Sequence, residues 1–544
     1  MSMDHNQPPP RVGQNEYLTN LPLVEGVRRH DAGWAEAQLT EVGELVGGEQ
    51  LQAWGEQANA NPPVLHTHDR HGNRIDEVAY HPAYHEVIKL AVSNGAHALS
   101  WRADRPGAQV ARAAVFGLFS QVEAGHGCPI SMTHAAVPAL RKTPELAAEW
   151  EPRLTASQYD AQLRPASQKP GALFGMGMTE RQGGSDVRAN ITRATPTSDG
   201  YLLTGHKWFC SAPMSDGFLV LAQTADPSSG GSVGLSCFLV PRVLPDGSRN
   251  VFAIQRLKDK LGNRSNASSE VEFDGTWASI VGEPGRGVPT IIEMVNHTRL
   301  DCVIGAAAGM RQAVGEALWH AGHRQAFGKR LIEQPLMTNV LADLCVESEA
   351  ATAAALRLAR SYDSDASEDE RLFRRLATAV MKYWVCKRGP RHAAEALECL
   401  GGNGYCETFP MARIYREAPL LSIWEGSGNV ICLDVLRGVS RTPRALQVLL
   451  AEVELGSGAD PRFDAFTRVL RAELADLSEL EWRARRLTEM LALALQGSLL
   501  LRHAPAPVAD AFCASRLAAA GSEYGALPPS VDAAAILARH APTL

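Results

Sequence analysis

VPTIIEMVNHTRLDCVIGAAAGMRQAVGEALWHAGHRQAF, residues 288–327, repeats apolar side chains at spacings of three and four along its length. That period predicts a long helix whose apolar stripe must be covered by neighbours, as in a bundle. RLFRRLATAVMKYWVCKRGPRHAAEALECLGG (371–402) repeats the pattern, and the polar SYDSDASEDER (361–371) reads as the connection. Residues 283–440 are therefore expected to form a helical bundle. Upstream, from 171 to 282, YLLTGHKWF (201–209), GFLVLAQ (217–223), LSCFLV (235–240) and SEVEF (269–273) are short β-branched or aromatic runs cut by Gly, Pro and Asp. They predict a small antiparallel β domain. Residues 1–170 read as mostly helical, from VGELVGGEQLQAWGEQA (42–58) and HEVIKLAVSNGAHALSW (85–101), with a loop signal in NPP at 61–63. Residues 441–544 predict a further Ala- and Leu-rich helical domain with breaks at prolines 505, 507, 528 and 529. The expected class is α+β, mainly α.

A chain of 544 residues is too long for one hydrophobic core, so several domains are expected. No apolar run reaches bilayer length, and the start MSMDHNQPPP carries neither a signal-peptide nor a transit-peptide pattern, so a soluble, cytoplasmic protein is expected. The ten cysteines are scattered without a C-x-x-C pair, which points to no metal site and no dithiol motif. A formal net charge of −7 gives no whole-molecule attraction to nucleic acid. Strands do not alternate with helices and no G-x-G-x-x-G follows a strand, which argues against a doubly wound nucleotide fold. Any dinucleotide cofactor must be held in another way.

Four separated segments converge on one family: MGMTERQGGSDVRAN (176–190), GHKWFCSAP (205–213), RQAFGKRLIEQ (324–334) and LGGNGYCE (400–407) with YREAPLLSIWEGSGN (415–429). In order and spacing they resemble the flavin-binding and catalytic segments of acyl-CoA dehydrogenases. Within that superfamily the chain is most similar to the AidB type of bacterial alkylation-response flavoproteins. NQPPP (6–10), DRHGNRIDEVAYHPAYH (69–85), CPISMTHAA (128–136), RLKDKLGNRSNASSEVEF (256–273) and CLDVLRGV (432–439) carry that closer resemblance, which fades over the last hundred residues. The acyl-CoA dehydrogenase fold and an FAD cofactor follow as implications.

Removing hydrogen from the α and β carbons of a thioester needs a base for the proton and an acceptor for the hydride, and no side chain accepts a hydride. Flavin fills that need. Glu425, in SIWEGSGN, matches the family's catalytic base; taken alone, it would more readily be read as an acid at a helix start. An ordinary Glu is a weak base for this proton, so the site is expected to desolvate it. The resemblance implies that the thioester carbonyl is bound by the base residue's own N–H and by the flavin. Some relatives carry the base one residue before the Arg that is Arg299 here. That position is Thr298, which has no carboxylate.

By the same resemblance, Met176, Met178 and Thr179 line the flavin ring while Gly184 and Ser185 approach its phosphates, the QGGSD turn forming an anion nest. Phe209, Cys210 and Ser211 form a second wall. Arg324 and Phe327 resemble the pair that reaches a neighbouring subunit's FAD, together with Glu398, Gly401 and Gly402, which implies a homotetramer whose sites are completed across an interface. Ile423, Trp424, Ser427 and Asn429 complete the FAD set. Trp424 and Arg299 are assigned to the substrate pocket, where Trp replaces the smaller Tyr usual in relatives and reshapes the acyl site.

From residue 437 onward twelve Arg and no Lys face twelve acids. The arginines cluster in RGVSRTPR and EWRARR, as a salt-bridged helix face or as phosphate ligands. AidB-type proteins are associated with double-stranded DNA binding, which makes Arg437, Arg441, Arg444, Arg483, Arg485 and Arg486 the candidate contacts. Two readings stay open: a DNA-associated flavoprotein protecting against alkylation damage, with weak dehydrogenase activity, or a metabolic acyl-CoA dehydrogenase that passes electrons to an electron-transfer flavoprotein.

Overall fold

The helix expected from residues 288–327 spans Gly287–His323 in the computed structural model, which describes residues 5–225, 232–518 and 521–541. Two further long helices, Pro335–Arg360 and Glu368–Cys399, continue the bundle. The second starts where the polar connection turns acidic: the Ser367 side chain accepts from the Glu370 N–H, and Glu368, Asp369 and Glu370 occupy the first turn. A side-chain cap and acidic first turn satisfy the orphan amides and the positive helix end. Contiguity divides the chain into two units: one of residues up to 49, 104–121 and from 299 onward, the other of residues 50–103 and 122–298.

In the first unit the helix Leu480–His503 is buried almost continuously from Leu487 to Leu500 and packs on both Pro335–Arg360 and Glu368–Cys399. Trp384 Nε1 donates to Gln496 Oε1 at 3.0 Å, tying this late helix to the bundle. Each fully buried Leu contributes about 1.5–3 kcal/mol. The segment after 441 is thus part of the helical core. Arg112 and Asp301 make a buried bidentate pair in the same unit.

The second unit holds strands β1 (Val64–His68), β2 (Arg74–Ala79), β3 (Phe174–Gly177), β4 (Arg193–Pro196), β5 (Tyr201–Ser211), β6 (Gly217–Ala225), β7 (Ser232–Pro241), β8 (Ala253–Leu257) and β9 (Ser268–Val281). β1 and β2 form an antiparallel hairpin inside a stretch read as mostly helical. In the main sheet β6, β4, β5, β9 and β7 pair in sequence, and β7 returns to β6, so the hydrogen-bonded path closes on itself. Most pairings are antiparallel as expected, but β3 and β4 both run parallel to β6. Alternation sends Phe218, Val220, Phe238, Val240, Phe252, Ile254, Val271 and Phe273 into one core. Among the described residues no helix is long and apolar enough to cross a membrane.

Candidate active site

Glu425 lies in a tight turn between the short helix Leu420–Ser422 and the helix Gly428–Arg441. Its φ is +58° and that of Gly426 is +104°. A left-handed backbone costs a residue with a Cβ about 1–2 kcal/mol, and such residues persist only where their surroundings over-determine them. Here the surroundings are two cations. Lys382, 1% exposed in the middle of Glu368–Cys399, donates through Nζ to the carbonyl oxygens of Trp424 (2.8 Å) and Gly426. Arg299 donates through Nε to the intervening carbonyl of Glu425 at 2.9 Å. Charge-assisted hydrogen bonds of this type contribute about 1.5–3 kcal/mol each, enough to offset the strained turn. Arg299 also pairs with Asp434 at 2.9 Å, which in turn receives Arg437. Arg299, expected in the substrate pocket, has its guanidinium engaged with the Glu425 turn and Asp434. Thr298 turns its hydroxyl back to the Val295 carbonyl.

In the sheet-bearing unit, segments 176–190 and 205–213 meet: Trp208 N donates to the Thr179 carbonyl at 2.8 Å and Arg181 N to His206 Nε2 at 3.0 Å. Glu180 is the hub. Its carboxylate accepts from buried Lys207 at 2.6 Å and from the backbone of Ile191 and Thr192. Burial opposes its charge, but Lys207 and these hydrogen bonds outweigh it and hold Glu180 down at about 2. The loop so fixed leaves the Gly184 and Ser185 amides without a protein acceptor among the described residues. A Cβ on Gly184 would come within 2.7 Å of Thr179 Oγ1, so any larger residue there must displace the Thr179 side chain. Phe209 is 48% exposed and Met176, Met178 and Thr179 are half-buried. Cys210, expected among the flavin contacts, turns its thiol into the core, because strand alternation places it opposite Phe209 and Ser211; burial pushes that thiol up to about 12.

The remaining segments lie in the helical unit. Arg324 donates to the Asn6 carbonyl, and Asn6 and Gln325 exchange two further bonds. Asn403 reaches Gln7 at 3.0 Å, so NQPPP touches both the 324–327 and the 400–403 segments. Phe327 is 97% exposed, and Glu398, Gly401 and Gly402 are exposed as well. Gly401, at φ +57° and ψ −138°, occupies a backbone region open in practice only to glycine. Beside Glu425, Ile423 and Ser427 are exposed, while the buried indole N–H of Trp424 has no acceptor among the described residues. Within the helical unit the orphaned indole donor beside exposed Ile423, and within the sheet-bearing unit the unsatisfied amides and exposed Phe209, are each polar and apolar features of the kind a flavin nucleotide requires.

The arginines after 436 are mostly committed within the chain. Arg437 pairs with Asp434, Arg444 with Asp369 and Arg486 with Glu473. Arg483, expected to reach phosphate, is only 17% exposed and instead closes the preceding loop, binding the Glu473 carboxylate and the carbonyls of Asp476 and Ser478. Arg485 donates to Asn429 Oδ1 at 2.8 Å. Arg441 is exposed and has no protein partner among the described residues. Sequence reasoning missed Lys382 and Asp434. The available signal was a single Lys inside the apolar run LATAVMKYWV, a charge where the helical period demands burial.

Comparison with known proteins agrees with these features. The AidB N-terminal domain of the adaptive response matches residues 6–161, the acyl-CoA dehydrogenase middle domain 175–276 and its C-terminal domain 285–440. The putative acyl-CoA dehydrogenase AidB of Escherichia coli is 46% identical, covering 93% of each chain. The crystal structure of Caenorhabditis elegans ACDH-11 in complex with C11-CoA superposes with a TM-score of 0.87 at 26% identity, over 95% of this chain and 94% of that one. A Bacillus anthracis acyl-CoA dehydrogenase complexed with FAD shares the fold at TM-score 0.63 and 17% identity, over 79% and 80% of the two chains. The chain belongs to the acyl-CoA dehydrogenase family, in its AidB branch, and is an FAD-dependent oxidoreductase.

Proposed function

We propose that this protein dehydrogenates an acyl-CoA thioester between its α and β carbons, with Glu425 taking the α-proton. The observation that carries this reading is the turn at 424–426, whose three carbonyls are held by Lys382 and Arg299 so that a strained Glu is presented in one conformation. Such preorganisation is what proton abstraction from carbon requires. FAD, when bound, supplies the hydride acceptor. In the sheet-bearing unit Thr179, Gly184, Ser185 and Phe209 would hold it; in the helical unit, Ser427, Asn429 and Trp424 would. The Glu425 N–H would donate to the thioester carbonyl and stabilise charge that develops as the proton leaves. A medium-chain thioester is the natural first substrate, since the ACDH-11 complex holds C11-CoA. Anaerobic titration with a panel of acyl-CoAs including C11-CoA tests the reading: bleaching of the flavin in the native protein, absent in Glu425→Gln, is expected. No bleaching by any member contradicts it.

A second activity has its own support. Similarity to the Escherichia coli AidB protein over 93% of the chain, with exposed arginines at 437, 441, 444 and 486, favours binding of double-stranded DNA and protection against alkylation. Phosphate contact without base readout is the physical form, and it predicts affinity that falls steeply with salt. Loss of a salt-dependent duplex shift in Arg441→Ala/Arg444→Ala/Arg486→Ala supports it; an unchanged shift removes these residues from the interface. In the purely metabolic reading an electron-transfer flavoprotein reoxidises the cofactor. The exposed Phe327, Leu336 and Tyr405 suit an apolar contact with a second copy, in keeping with a homotetramer measurable by light scattering.

A further inference from the structure

Lys382 does more than fold a loop. It is fully buried, makes no ion pair with a carboxylate among the described residues, and spends its Nζ on the carbonyls flanking Glu425. The Trp424 carbonyl and the Glu425 N–H belong to one peptide group. A donor on that oxygen withdraws electron density through the conjugated amide and makes the N–H a stronger donor, the polarisation that runs along hydrogen-bonded chains. Arg299 acts on the next peptide in the same way, since the Glu425 carbonyl it binds shares an amide with the Gly426 N–H. Two buried cations therefore sit behind consecutive amides of the turn that carries the base.

We infer that Lys382 is a positioning residue that sharpens the Glu425 N–H as a donor to the thioester carbonyl, raising the acidity of the substrate's α-proton. The inference rests on the thioester reading above and assigns Lys382 a role in the reaction beyond turn geometry. Surrounding chemistry supports it. Burial pushes the Cys302 thiol well above its ordinary value, and the charges of Lys382 and Glu425 both act on it, one lowering and one raising. Lys382 and Cys302 are 1% and 4% exposed, a buried setting in which a cation's effect on a peptide dipole is screened little.

The test is the carbonyl stretch of bound C11-CoA labelled with carbon-13 at the thioester carbon, read by difference infrared in the flavin-loaded protein. A shift to lower wavenumber in the native protein, largely lost in Lys382→Met and partly restored in Lys382→Gln, is expected. Turnover should fall about tenfold in kcat with KM little changed, less than the ~10²–10³ seen when an oxyanion donor is removed outright. Should Lys382→Met fail to fold, Lys382→Gln alone decides, with a shift between the native and solution values. An unchanged shift in either folded variant overturns the inference. No shift in the native protein itself contradicts the thioester reading on which it stands.

Discussion

Arg485 Nε donates to Asn429 Oδ1 at 2.8 Å, joining a helix beyond residue 441 to the residue four places after the candidate base. Asn429 sits in the first turn of Gly428–Arg441, and Gly428 itself lies against the same guanidinium, 3.5 Å from a Cβ built there. A segment expected to serve as a separate DNA-binding domain thus orients a residue expected to hold FAD. Replacing Arg485 by Ala should release Asn429 and weaken FAD binding by about 3–10-fold, a loss of ~1 kcal/mol for one hydrogen bond. Reconstitution of the apoprotein with FAD, followed by flavin fluorescence, measures it.

Arg299 holds the Glu425 carbonyl and Asp434 at once. Arg299→Ala leaves the partly buried Asp434 carboxylate with Arg437 as its one remaining cation and a left-handed Glu with one clamp fewer. A destabilisation of about 2–4 kcal/mol is expected. Urea unfolding of the helical unit, followed at Trp384 and Trp424, checks this; a change below about 0.5 kcal/mol would show that Lys382 alone holds the turn.

Glu180 supplies an acid signature. Its folded value of about 2 lies below the ordinary 4.5, so its ionised form stabilises the fold above pH 4.5. That contribution disappears as pH falls from 4.5 toward 2. Glu180→Gln should lower stability at neutral pH and flatten the decline in this window. Acid titration of both proteins by circular dichroism gives the comparison, and identical slopes would count against the Lys207 pairing.

Gly184→Ala should weaken FAD binding, because the added methyl would meet Thr179 Oγ1 at 2.7 Å and deform the loop that carries the free amides. Leu495→Ala, in the core of Leu480–His503, should cost about 2–5 kcal/mol. Deleting residues after 440 should leave the bundle insoluble, since Leu487, Leu491, Leu495 and Leu499 would leave an open apolar groove.

The long helices were legible because their apolar period runs unbroken for many turns. The β1–β2 hairpin was not: strands of five and six residues with half-exposed alternation carry too few apolar positions to contradict a helical reading. The parallel partners of β6 were equally hidden, since parallel and antiparallel pairing demand the same side-chain alternation. Glu425 was assigned from its motif and Cys210 from its neighbours, but strand alternation decided that the Cys210 thiol faces the core. Lys382 escaped because its partners are backbone carbonyls, groups that every residue carries and no motif records. Arg483 looked like a phosphate ligand because nothing in EWRARR records that its acceptors are the Glu473 carboxylate and carbonyls of the preceding loop.

The most direct test is anaerobic reduction of the FAD-loaded protein by C11-CoA and other acyl-CoAs, with Glu425→Gln alongside. Rapid bleaching in the native protein and none in a variant that still binds FAD and thioester is the predicted result. Equal bleaching in both, or none in either across the panel, would contradict the assignment of Glu425 as the base.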